Sequence, residues 1–148
     1  MKALVVYDST YGNTKSIAVA VGTIIGASVV HVSEASAEMV SHLDLLLVGS
    51  PTVSGHPTKA IEEFLAKLPQ EIVKGLKASA FDTRLAVKHD LNIGFAVSFI
   101  AHALKKSGCV MVGDMKGFIV KSADGALEEG ETDKAVAWAK DVLEKALH

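Results

Sequence analysis

Two kinds of apolar pattern alternate along the chain. Continuous runs at residues 3–7 (Ala-Leu-Val-Val-Tyr) and 43–49 (Leu-Asp-Leu-Leu-Leu-Val-Gly) read as strands buried on both faces. Between them Ile17, Ala18, Ala20, Val21, Ile24 and Ile25 recur at helical spacing from a start near Lys15, with Gly26 placed to stop the helix. Residues 28–32 are rich in β-branched side chains and predict a short second strand, followed by a weak helical segment through Val40. A helix is expected over 58–68, a short turn of helix after Pro69, and a small-residue strand over 77–81. Ile93, Val97, Ile100, Ala101 and Leu104 predict one face of a helix over 93–107, closed by Gly108. Strand segments follow at 109–112 and 117–120. The chain ends in an amphipathic helix over 132–147, with Thr132 as its expected cap and Ala135, Val136, Ala139, Val142 and Leu143 facing inward.

Strands alternating with helices predict an α/β fold, a parallel sheet with helices on both faces. The chain has 148 residues and no repeat, low-complexity tract or linker, so a single domain over 1–148 is expected.

Three polar stretches lie at the carboxyl ends of expected strands, where open parallel sheets bind ligands. The first is Ser9, Thr10, Tyr11, Gly12, Asn13 and Thr14. Hydroxyl side chains, a glycine and the free N–H groups of a helix start converge there, which suits an anion. The loop lacks both Gly-x-Gly-x-x-Gly and Gly-Lys-Ser/Thr, so a terminal monophosphate held by neutral donors fits better than a triphosphate. An ordinary N-capped helix is the plainer reading of the same residues. The second stretch runs over residues 50–58 and contains Pro51, Thr52, Val53, Ser54 and Gly55. The third is read as a polar loop, Asp82, Thr83 and Arg84, beyond Phe81 at the strand end. Asp82 and Arg84 could alternatively pair with each other at the surface, where such a bridge is worth little. Together the three suit a phosphate plus a planar heterocycle.

Composition narrows the partners. Fifteen basic and 17 acidic side chains give a formal net charge of −2 without a basic block, which argues against nucleic acid. No stretch approaches the roughly 18 apolar residues of a membrane span, and Met1-Lys2 runs directly into a strand, so a cytoplasmic protein is expected. Cys109 lies in an apolar run and reads as a small buried hydrophobe. His31, His42, His56, His89, His102 and His148 show no ligand spacing, so no metal site is expected. His56 stands out only for its place in the second loop. Trp138, between Ala137 and Ala139, reads as packing.

Residues 8–14 (Asp-Ser-Thr-Tyr-Gly-Asn-Thr) resemble the phosphate loop of the flavodoxins. Gly49-Ser50-Pro51-Thr52 with Gly55 resembles the loop after that family's third strand, and Phe81-Asp82-Thr83-Arg84 is similar to a variant of its third loop. Gly117-Phe118-x-Val, Gly130-Glu131 and Ala137-Trp138-Ala139 are similar to its C-terminal part, so the resemblance covers nearly the whole chain. It implies a flavodoxin-like three-layer sandwich with a five-stranded sheet in order 2-1-3-4-5, and one non-covalent FMN. By motif position, Ser9 to Thr14 would hold the phosphate, Pro51 to Gly55 would flank the ring, and Phe81 to Arg84 would meet its pyrimidine edge.

The resemblance further implies a monomeric electron carrier, without catalytic residues, that meets a reductase and an acceptor through the flavin edge. Where flavodoxins commonly stack Trp and Tyr on the ring, the second loop offers only Val53 and His56, which predicts weak or one-sided stacking. A net charge of −2 also gives little electrostatic steering. Arg84 beside the N1/O2 edge would raise the reduction potential. Two other functions fit the same fold: a small FMN oxidoreductase acting on a quinone or tetrapyrrole precursor, and a flavin-free binding module. A response-regulator receiver is excluded because strand three ends Gly49-Ser50 rather than in Asp, and a small tyrosine phosphatase because the single Cys is at 109.

Overall fold

The computed structural model describes residues 1–86 and 94–148. Its elements are β1 (Ala3–Tyr7), α1 (Asn13–Ile25), β2 (Ser28–His31), a 3₁₀ turn (Val32–Glu34), α2 (Ala37–Val40), β3 (Leu45–Pro51), α3 (Lys59–Ala66), α4 (Gln70–Val73), β4 (Lys77–Leu85), α5 (Ala96–Lys106), β5 (Val110–Met111), β6 (Lys116–Val120) and α6 (Glu131–Leu147). The expected places of Ile93 and His89 lie outside the described residues.

All strand pairs of the sheet are parallel, in the order β2-β1-β3-β4-β5. The fifth strand arrives in two pieces. Val110 and Met111 pair with Lys77 and Ala78, and after a short detour Lys116 to Val120 pair with Phe81 to Leu85 of the same strand. Gly113 marks the break: it has φ +70, and a Cβ there would fall 2.9 Å from Val142 Cγ2 of α6.

Period two along the buried strands divides the core. Leu4, Val6, Leu46, Val48, Ala78 and Ala80 face α3 and α5, where Ile61, Leu65, Val97, Ile100 and Leu104 cover them. Val5, Tyr7, Leu45, Leu47 and Phe81 face α1 and α6, which supply Ile17, Val21, Ala135, Ala139 and Val142. The result is a helix–sheet–helix sandwich in the expected order. Its second face is centred on three aromatic rings, Phe81, Phe118 and Trp138, with centroids 5.7–6.3 Å apart in edge-on arrangements. Trp138 therefore packs as expected, and its Nε1–H donates to the Asp114 carbonyl at 2.7 Å.

Three expectations need correction. Asp82, Thr83 and Arg84 are not a loop: β4 continues to Leu85 because β6 pairs with it to the end. Thr132 is not the cap of α6, which starts at Glu131 after Gly130 in the left-handed region at φ +82. Glu131 is buried, and its Oε1 accepts the Ile119 amide at 2.6 Å, closing an otherwise open edge amide of β6. The first helix begins at Asn13, two residues before Lys15, so the polar loop is shorter than its motif.

Two measurements check this packing. Phe81 lies against Gly49, where an added Cβ would sit 2.2 Å from Phe81 Cζ. Gly49→Ala should lower the unfolding free energy by about 1–3 kcal/mol in urea, the usual cost of overpacking; an unchanged midpoint would contradict this contact. Burial pushes the Cys109 thiol up to about 11. A disulfide reagent at mildly alkaline pH should therefore label it only on unfolding, and rapid native-state labelling would refute its burial.

Candidate functional site

The first loop leaves β1 at Tyr7 and is pinned at its base. Asp8 donates its amide to the Gly49 carbonyl at 3.1 Å, joining the loop to β3. The Asp8 carboxylate then accepts three donors: the Ser9 amide at 2.8 Å, the Thr58 hydroxyl at 2.6 Å and His31 Nε2 at 3.0 Å. The other ring nitrogen of His31 accepts the Ser33 amide at 3.1 Å, so the tautomer carrying its proton on Nε2 fits both contacts. One carboxylate thus ties together the ends of β1 and β2 and the start of α3.

Further along, the Gly12 amide donates to Ser9 Oγ at 3.0 Å, and Gly12 enters the left-handed region at φ +92. Nothing lies within 4 Å of where its Cβ would be, so glycine is required by conformation rather than by space. Helix α1 follows with no side-chain cap and no acidic residue in its first turn. Its leading N–H groups lack intrahelical acceptors and its positive dipole end is uncompensated. That combination favours a bound anion over the plainer N-cap reading, since the capping side chain is missing.

Two of the expected loop residues are tied to distant parts of the chain. Thr14 is buried and shares a hydrogen bond with Thr83 Oγ1 of β4 at 2.9 Å. Asn13 Nδ2 donates to the Gly125 carbonyl at 2.6 Å. Ser9, Thr10 and Tyr11 stay at the rim, and Tyr11 is 62% exposed.

The second loop is a tight turn. Val53 and His56 exchange backbone hydrogen bonds at 2.7 and 2.9 Å, while Ser54 and Gly55 both have positive φ, at 48° and 82°. This is the signature of a type I′ turn, which Gly accommodates and Ser adopts only with strain. The Thr52 amide donates to the Thr83 carbonyl at 2.9 Å and seats the turn on β4. Val53 projects from it, 49% exposed.

Strand β4 splits its polar end between the two faces. Thr83 points with Phe81 towards α1, whereas Asp82 and Arg84 point towards α5. Arg84 donates to both carboxylate oxygens of Asp82, at 2.7 and 2.9 Å, and both side chains are buried. The pairing read as a surface bridge is therefore an interior one. Burial raises the Asp82 carboxyl above its ordinary value, and Arg84, the Val97 amide and Thr52 pull it back.

The two loops and the polar end of β4 surround a cleft of about 490 Å³. Every residue expected at the site lines it except Gly12, Phe81 and Asp82. The Phe81 side chain is fully buried against Phe118 and Trp138 and does not line the cleft. The structure adds Leu85, Gly94, Phe95, Val120 and Ala123 to the lining. Phe95 directly precedes α5 and reads in the sequence as one more apolar residue of a helix start.

Comparison with known proteins agrees with this architecture. A family model described as Flavodoxin matches residues 5–138. No curated protein sequence matches the chain. Among solved structures, a flavodoxin from the domain Archaea is 24% identical with a TM-score of 0.82, each chain covered over 100% of its length. Flavodoxin 2 from Bacillus cereus is 22% identical at TM-score 0.79, with 98% of this chain and 99% of that one covered. The rubredoxin oxygen:oxidoreductase of Desulfovibrio gigas aligns at 14% identity and TM-score 0.78, this chain spanning 36% of it.

The Thr14–Thr83 contact provides a check on the site's frame. Either Thr→Val substitution alone should cost about 1 kcal/mol or more by stranding a buried hydroxyl, and the double substitution should recover most of that loss. Additive losses in urea unfolding would show that the two hydroxyls do not act as a pair.

Proposed function

We propose that this chain, which belongs to the flavodoxin family, binds one FMN in the cleft and carries electrons between a reductase and an acceptor. The observation that carries the reading is the uncapped, acid-free start of α1 opening into a hydroxyl-lined cleft between β1 and β3. The chain crosses from one side of the sheet to the other there, the place where doubly wound folds bind nucleotides.

The residues fit that cofactor. Ser9 and Thr10, with the backbone N–H groups leading into α1, would hold the phosphate; Gly12 gives the loop the curvature to do so. The Val53–His56 turn would bear on the ring, and Tyr11 on the facing rim would shield it. FMN supplies reversible one- and two-electron transfer; the chain supplies binding, orientation and exclusion of water, with no catalytic side chain of its own. Arg84 bears on this differently from its sequence reading: with Asp82 holding its guanidinium, the pair brings little net charge to the ring edge.

The partners would meet the exposed ring edge of a monomeric, cytoplasmic protein. No described helix is long and apolar enough to cross a membrane, and no group of His, Cys, Asp or Glu among the described residues could hold a metal.

Titration of FMN and riboflavin into the apoprotein, read by quenching of flavin fluorescence, tests the reading. FMN should bind at least about tenfold more tightly, because charge-assisted hydrogen bonds to the phosphate are worth about 1.5–3 kcal/mol each. Equal affinities would overturn the phosphate site. Stepwise reduction of the loaded protein should then resolve two one-electron stages, whereas a single two-electron stage would favour the oxidoreductase.

A further inference from the structure

Phe95 and Arg84 meet at the wall of the cleft. The guanidinium carbon of Arg84 lies 3.8 Å from the centre of the Phe95 ring, a cation–π contact made by the same group that grips Asp82 with two hydrogen bonds. Gly117 leaves the room for it: a Cβ there would fall 2.2 Å from Arg84 Nε. Asp82 also accepts the Val97 amide at 2.9 Å, so the backbone two residues beyond the ring is held by the same ion pair.

The opposite wall is drawn into this arrangement. Thr52, at the foot of the Val53–His56 turn, accepts the Ala96 amide on its Oγ1 at 3.1 Å. A Cβ on Gly55, at the tip of that turn, would lie 3.0 Å from the Gly94 carbonyl oxygen. The distance between the two walls is therefore set by one connected cluster, and Phe95 is its aromatic member lining the cleft.

We infer that Phe95 is an aromatic contact of the flavin ring and that Arg84 is a positioning residue acting through it, holding the ring of Phe95 at the wall of the cleft. The inference rests on the FMN reading given above. Asp82 offsets the guanidinium charge, so Arg84 acts by geometry. A lysine could not replace it, because an ammonium cannot both fork onto Asp82 and stack flat on Phe95.

The test is a double-mutant cycle read by flavin affinity. Arg84→Met is always made together with Asp82→Asn, which leaves no buried carboxylate stranded while retaining an acceptor for Val97, and this paired change and Phe95→Leu are introduced separately and together into the otherwise native chain. Each alone should weaken FMN about tenfold, the scale of one aromatic contact. The two together should weaken it no further. Riboflavin should weaken by the same factor as FMN, because the ring and not the phosphate has lost its contact.

Additive losses, or a loss confined to FMN, would overturn the inference. If the Arg84 variants fail to fold, as judged by thermal melting of the apoprotein, the ion pair is left intact and Phe95→Leu is compared with Phe95→Tyr. Retained affinity in the tyrosine variant with loss in the leucine variant supports the aromatic contact, and equal affinities refute it. Failure of the underlying reading looks different: the wild-type protein itself would then show no preference for FMN over riboflavin.

Discussion

A parallel sheet cannot return its chain by hairpins, so neighbouring strands are joined by crossovers, and the loops that begin those crossovers gather along one edge. Here that constraint places the ends of β1, β3 and β4 side by side, with the start of α1 between them. The site follows from the packing. Continuous Val and Leu runs force β1 and β3 into the interior, and the Asp8 amide donating to the Gly49 carbonyl registers their exits. The anion-seeking end of α1 is then held open by what it lacks, a capping side chain and an acid in its first turn.

The polar end of β4 shows the cost of building such an edge. Extending the strand to Leu85 buries a carboxylate and a guanidinium, which is unfavourable unless each is fully partnered. The chain supplies partners from three directions: Arg84 and Asp82 to each other, the Val97 amide to the acid, and the Phe95 ring to the base. Even so, burial keeps the Asp82 carboxyl above its ordinary value. The cluster gives shape more than stability, since a well-packed apolar alternative would also fill the space. What an apolar core could not supply is the directional link from β4 to the segment that walls the cleft.

Much of this was legible in the sequence, for identifiable reasons. Residues 3–7 and 45–49 announce buried strands because they run on without a charged side chain, and Gly26 and Gly108 stop helices because both take positive φ. The polar end of β4 was opaque. Asp82, Thr83 and Arg84 look like a loop until the groups that receive them are known: Val97 for the acid, Thr14 for the hydroxyl, and Gly117 and Phe95 for the base. Phe81 stands at the edge of the polar stretch in the sequence, and only alternation along the strand sends its side chain to the aromatic cluster under α6. The Asp8–His31 contact joins residues 23 apart and had no local signature. In each case the missing information was the identity of a partner across the sheet.

The central claim is that an FMN phosphate is seated on the loop at residues 9–14. Backbone amide resonances, followed by two-dimensional NMR while FMN, inorganic phosphate and riboflavin are added in turn, address it directly. Amides from Ser9 to Thr14 should move with FMN and in the same direction with phosphate alone, while riboflavin should move the turn at Val53–His56 and leave the loop nearly still. A loop that ignores phosphate, with FMN shifts confined to other surfaces, would contradict the account.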